Sequence, residues 1–125
     1  AEDEMAMGMG IHGEPGICNG PLKTSREIAE ESLNTLLGDM PVPEGGEVAL
    51  LINGLGASSV EELYILSNDV TELLKARNIK IYKTIVGEYA TSMEMAGASI
   101  SICRLNDELK NYLDYPVNTP FICQK

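Results

Sequence analysis

The run Glu47-Val48-Ala49-Leu50-Leu51-Ile52-Asn53 constrains this chain more than any other feature. Its apolar side chains are consecutive, as in a strand covered on both faces, and not alternating, as in a strand with one face in water. Such a strand needs neighbours on its edges and layers above and below, so the flanking sequence must supply them. Downstream, Gly54 to Ser58 reads as a turn, and Ser58 with Glu61 as a capping box. The stripe Val60, Leu63, Leu66, Val70, Leu73 and Leu74 follows on a long helix ending near Asn78, and Ile79 to Val86 reads as a further strand. Strand, capped helix and strand in succession form a crossover unit, the connection that parallel pairing requires.

The same alternation extends outward in both directions. Upstream, Thr24 and Glu27 form a capping box for a helix carried by Lys23 to Asp39, with Ile28, Ala29, Leu33, Leu36 and Leu37 as its stripe and Gly38 as its C-terminal cap. Pro41, Pro43, Gly45 and Gly46 connect it to the central run. At the start, Met5 to Ile11 reads as a strand feeding the tight stretch His12-Gly13-Glu14-Pro15-Gly16. Beyond Val86, Thr91 and Glu94 suggest a short helical turn closed by Gly97, Ala98 to Leu105 a strand, and Asn106 the cap of a short helix through Leu113. Pro116 and Pro120 keep the tail extended. The expected fold is α/β, with a mixed or mainly parallel sheet of about four to five strands and crossover helices.

At 125 residues the chain has room for one core and no second catalytic module. The net charge of −10 is spread along the chain, so there is no basic stripe to hold phosphate backbones or anionic lipid. Nucleic acid and membranes are therefore not expected partners. No apolar run reaches the roughly 20 residues of a membrane span, and Ala1-Glu2-Asp3-Glu4 is the reverse of a basic signal-peptide start. Cys18, Cys103 and Cys123 are odd in number and widely spaced, which fits neither a disulfide framework nor a zinc site. Reduced thiols and a cytoplasmic location are the expectation. The opening on Ala1 suggests a piece of a longer protein.

Catalytic resources are few: one histidine, no Walker lysine, no zinc-ligand cluster and no nucleophile elbow. Gly54-Leu55-Gly56-Ala57-Ser58-Ser59 places Ser59 where a dinucleotide fingerprint has its third glycine, which favours a plain turn over a phosphate cradle. His12 follows a strand end among glycines, an arrangement that exposes a side chain at a sheet rim. Its neutral imidazole can attack a carbonyl or accept a proton near neutral pH. On the residues alone, nucleophile, general base and bystander all stay open. Glu14 reads as a turn residue with a solvated carboxylate, and Met5, Met7 and Met9 as sheet-face packing at period two.

Gly8-Met9-Gly10-Ile11-His12-Gly13-Glu14-Pro15-Gly16 resembles the signature segment of the dihydroxyacetone kinases. Ala49 to Ala57, Glu62 to Ile65, Val86 to Gly97 and Ser99 to Leu109 resemble the same family in the same order. The resemblance implies that His12 is catalytic and substrate-binding, holding the carbonyl carbon of dihydroxyacetone as a hemiaminal. It implies further that residues 1–125 form the C-terminal subdomain of a two-subdomain, dihydroxyacetone-binding subunit whose N-terminal subdomain is absent from this chain. That missing partner would carry a second histidine and an aspartate, so the fragment alone should be inactive. The resemblance implies no cofactor on this chain, ADP or ATP with Mg on a separate domain or subunit, and a homodimer. Pro116 to Phe121 resembles the segment after which bacterial subunits soon end, which favours a phosphotransferase-system partner with bound ADP as donor over an ATP-binding domain. Two other readings remain: a non-catalytic paralogue that senses dihydroxyacetone as a transcriptional co-regulator, and a structural domain.

Overall fold

The computed structural model describes residues 4–8, 18–21, 23–56, 58–89, 96–118 and 123–124. Its centre is the expected apolar run, which forms a strand paired on both edges. In chain order the elements are β1 (Glu4–Met7), β2 (Cys18–Pro21), α1 (Ser25–Asp39), β3 (Glu47–Gly56), α2 (Val60–Ala76), β4 (Lys80–Gly87), β5 (Ala96–Arg104), α3 (Asp107–Leu113), β6 (Val117–Asn118) and β7 (Cys123–Gln124). The main sheet has the order β4-β3-β5, with β4 parallel and β5 antiparallel to β3. The expected mixed α/β sheet is thus borne out. The other described strands form two antiparallel ribbons, β1-β2 and β6-β7.

Alternation along β3 sorts its side chains. Val48, Leu50 and Ile52 are fully buried in one cluster with Ala29 and Leu33 of α1 and Leu63, Leu66, Val70 and Leu74 of α2. Each of the larger of these side chains contributes about 1.5–3 kcal/mol by leaving water. Ala49 and Leu51, on the far face, are only half-buried. The described layers therefore cover one face of β3 fully and the other in part, less than the unbroken apolar run suggested.

The helix stripes are largely as expected, with two exchanges on α2. Val60 is 59% exposed, and Ser67 joins the buried side. The capping box of α1 forms on Thr24 and Glu27. That of α2 uses Ser59 and Glu62, one residue later than expected, because β3 continues through Gly56 where a turn was expected from Gly54. Gly38 lies inside α1, whose cap is Met40. An ion pair of 2.9 Å between Arg26 and Glu72 ties α1 to α2.

At the start of the chain the strand is shorter than expected. β1 ends at Met7, and Gly8 follows at φ 79°, a left-handed conformation that suits glycine. β2, which has none of the usual strand-forming residues, is held by its pairing to β1, in the register Met7 to Cys18 and Glu4 to Pro21. Gly97, expected to close a helical turn, lies within β5. The expected cap of that turn, Thr91 and Glu94, lies outside the described residues. Asn106 caps α3, with its Oδ1 accepting from the Leu109 amide at 2.8 Å, as expected.

Candidate functional site

His12 and Glu14 lie outside the described residues. The strands on either side of them are described: the chain leaves β1 and re-enters β2 at the Met7–Cys18 pair. His12 is therefore placed only by its position in the chain, between two paired strands.

The described chemistry gathers at the carboxyl ends of β3 and β4, the end of an open α/β sheet where ligands bind. Asn53 sits there on the face away from α1 and α2, aligned with Gly87 of β4 and Ser99 of β5. It is 4% exposed. Its Oδ1 accepts a hydrogen bond from the Tyr89 backbone N–H at 2.7 Å. Tyr89 folds back over the same face, and a Cβ on Gly87 would stand 2.9 Å from its ring carbons, so glycine is the residue that admits the ring. On the opposite face, a Cβ on Gly54 would stand 2.9 Å from Cδ1 of Leu63. The glycines Gly54 and Gly87 thus allow a helix and a ring to approach the two faces of the sheet closely. Ser58, just past the strand, donates from Oγ to the Gly97 carbonyl at 2.7 Å.

Two further features lie away from the rim. A shallow groove of about 880 Å³ follows the flank of α2 and the outer edge of β4, lined by Thr71, Lys75, Ile79, Lys80, Ile81 and Thr84 among others. At the opposite end of the sheet, α3 has no buried residue and is held by polar contacts. Lys110 Nζ donates to Glu47 Oε1 at 2.6 Å and stands 5.1 Å over the Tyr82 ring, whose hydroxyl donates to Asp114. The bond to Glu47 raises the Lys110 pKa above its ordinary 10.5, and the bond to Asp114 raises that of Tyr82 above 10.0. Both groups hold their protons more tightly than in water, so neither is primed as a base.

Among the described residues, no group of three His, Cys, Asp or Glu is placed to hold a metal ion, and no helix is long and apolar enough to cross a membrane. Cys103 is a free, exposed thiol. The sequence reading missed Asn53. A polar residue closing the run Leu50-Leu51-Ile52 in a central strand was the available signal.

A mixed sheet of parallel and antiparallel strands with two helices packed on one face defines an α/β domain. Residues 1–121 match the model of the Dak1 domain, and the chain belongs to that family. It is 45% identical over 120 residues to the dihydroxyacetone-binding subunit DhaK of PTS-dependent dihydroxyacetone kinase 2 from Listeria innocua, covering 96% of this chain and 36% of that subunit. The chain superposes on the dihydroxyacetone kinase operon co-activator Dha-DhaQ with a TM-score of 0.85 and 35% identity, covering 93% of this chain and 37% of that one. It superposes on the native dihydroxyacetone kinase of C. freundii with a TM-score of 0.85 and 28% identity, covering 99% of this chain and 22% of the kinase. The family and subunit type that the sequence resembles are borne out, and the chain spans little more than a third of the DhaK subunit's length.

Proposed function

We propose that this chain is the C-terminal subdomain of the substrate-binding subunit of a dihydroxyacetone kinase, and that His12 captures the ketone. The observation that carries the reading is the segment Gly8 to Gly16, with His12 at its centre, inside a chain matched to the Dak1 domain over residues 1–121. The unprotonated imidazole nitrogen adds to the carbonyl carbon. A C–N bond forms, the carbonyl π bond breaks, its oxygen takes up a proton, and the ring's other nitrogen gives one up. The product is a neutral hemiaminal.

Glycerol has no carbonyl, so capture sorts ketones from polyols by reactivity, where shape alone would discriminate poorly. It also fixes a terminal hydroxyl toward the incoming phosphoryl group, which removes part of the entropic barrier. The acid and base that complete the transfer belong to the N-terminal subdomain. ADP or ATP with Mg belongs to a separate subunit or domain; the similarity to a PTS-dependent subunit favours a phosphotransferase-system partner with bound ADP. The whole protein works as a cytoplasmic homodimer.

A second reading is a ketone-sensing co-regulator without turnover, favoured by the likeness to the co-activator Dha-DhaQ. Both readings use His12 for capture. Carbon NMR of the full-length protein with carbonyl-labelled dihydroxyacetone tests the shared step. A protein-bound signal should appear in the tetrahedral region, and His12→Ala should abolish it; bound ligand whose labelled carbon keeps the ketone shift refutes capture. Turnover with the phosphoryl-donor subunit then separates kinase from sensor.

A further inference from the structure

The far face of the main sheet carries apolar side chains that the core does not use. Alternation along β3 and its register with both neighbours put Ala49 and Leu51 of β3 on this face, with Ile85 of β4 beside Leu51. Cys103, Ser101 and Ser99 of β5 stand there opposite Ala49, Leu51 and Asn53. Ala49, Leu51 and Ile85 are half-buried and lie outside the core cluster, and Ser101 and Cys103 are exposed. Among the described residues, contacts close the face at its two ends: Lys110 of α3 reaches Glu47 at one, and the Tyr89 ring lies against Gly87 at the other.

A strand with one face in water alternates polar with apolar residues, whereas β3 stays apolar on both. An apolar sheet face is stabilised by a second layer, and the serines and cysteine of β5 are small enough to let that layer approach the strands. The same polypeptide can supply it. The Listeria subunit to which the chain is similar extends well beyond the match, which covers 36% of it. A net charge of −10 opposes stacking two copies of the chain face to face. We propose that the N-terminal subdomain of the same polypeptide lays an apolar helix across Ala49, Leu51 and Ile85, and so covers Ser101 and Cys103. The proposal rests on the reading of this chain as the C-terminal subdomain of a larger subunit, and it fixes which face of the sheet that subunit closes.

Cys103 reports the cover in full-length wild-type protein, without any substitution. N-ethylmaleimide is added to native and to urea-unfolded protein, and the peptide holding Cys103 is followed by mass spectrometry. Native alkylation should run at least about a hundredfold slower than alkylation in urea; comparable rates overturn the proposal. The covering layer is identified with a photo-crosslinker, benzoylphenylalanine in place of Ser101. A product of monomer mass that joins this position to a peptide of the N-terminal subdomain is expected, and a product of dimer mass overturns the proposal. Adduct formation with dihydroxyacetone, measured on the same wild-type sample, separates the two claims. Adduct together with a freely reactive Cys103 overturns the packing alone, whereas a protected Cys103 without adduct supports the packing and overturns ketone capture.

Discussion

Replacing Gly54 by alanine probes how closely α2 approaches the end of β3. The added Cβ would stand 2.9 Å from Leu63 Cδ1, 3.6 Å from Cδ2 and 3.7 Å from Cγ. Leu63 is 3% exposed and packed into the core, so its side chain has little room to retreat. Overpacking of this kind costs about 1–3 kcal/mol, and the lower entropy of the unfolded alanine chain returns about 0.4–1 kcal/mol. The expected net loss is about 1–2 kcal/mol, read as a lower urea midpoint with an unchanged slope. Leu63→Ala opens the space but leaves a cavity, costing about 2–5 kcal/mol alone. In that background Gly54→Ala should become neutral or stabilising, a coupling of about 1–2 kcal/mol between residues in contact. A stabilised Gly54→Ala single mutant, or strict additivity in the double mutant, would refute the close approach.

Other expectations concern the helix ends and α3. Ser59→Ala should destabilise the fold by about 1 kcal/mol through loss of the α2 cap and speed exchange of the Glu62 amide, while Ser58→Ala, which removes the bond to the Gly97 carbonyl, should leave that amide protected; amide exchange at Glu62 in the two variants separates the registers. Lys110→Met should speed amide exchange in α3 with little change in global unfolding, since α3 buries no residue of its own. With the Lys110 and Tyr82 pKa values both raised by folding, their contribution is complete below the ordinary values of 10.5 and 10.0 and is lost as pH rises through the higher folded values. Protection of the α3 amides, taken relative to the base-catalysed exchange of the unfolded chain, should therefore fall selectively at alkaline pH, and a uniform loss of protection across the chain would count against the contacts described.

The β3–α2–β4 unit was legible because it depends on local rules: apolar run, cap spacing and helical stripe all pointed the same way. The cap of α2 was misplaced by one residue because Ser58 and Ser59 are each followed three positions later by glutamate, Glu61 and Glu62. Tertiary pairing settles the register, since β5 keeps Gly54, Leu55 and Gly56 in the sheet opposite Ala98, Gly97 and Ala96. Gly54 and Gly87 resemble turn residues in sequence but answer to the Leu63 side chain and the Tyr89 ring, which no local pattern reports. β2 was invisible for a similar reason, because Cys18-Asn19-Gly20-Pro21 is a strand only by pairing with β1. As for the candidate site, His12 came from family resemblance to a motif, whereas Asn53 came to notice only through its hydrogen bond to Tyr89.

Crystals of the full-length protein soaked in dihydroxyacetone would show whether His12 bonds the ketone as proposed. Electron density should run unbroken from the His12 ring to a tetrahedral carbon, and His12→Ala crystals should lack it. A ligand resting in the site as an intact, planar ketone, separate from the His12 imidazole, would overturn covalent capture.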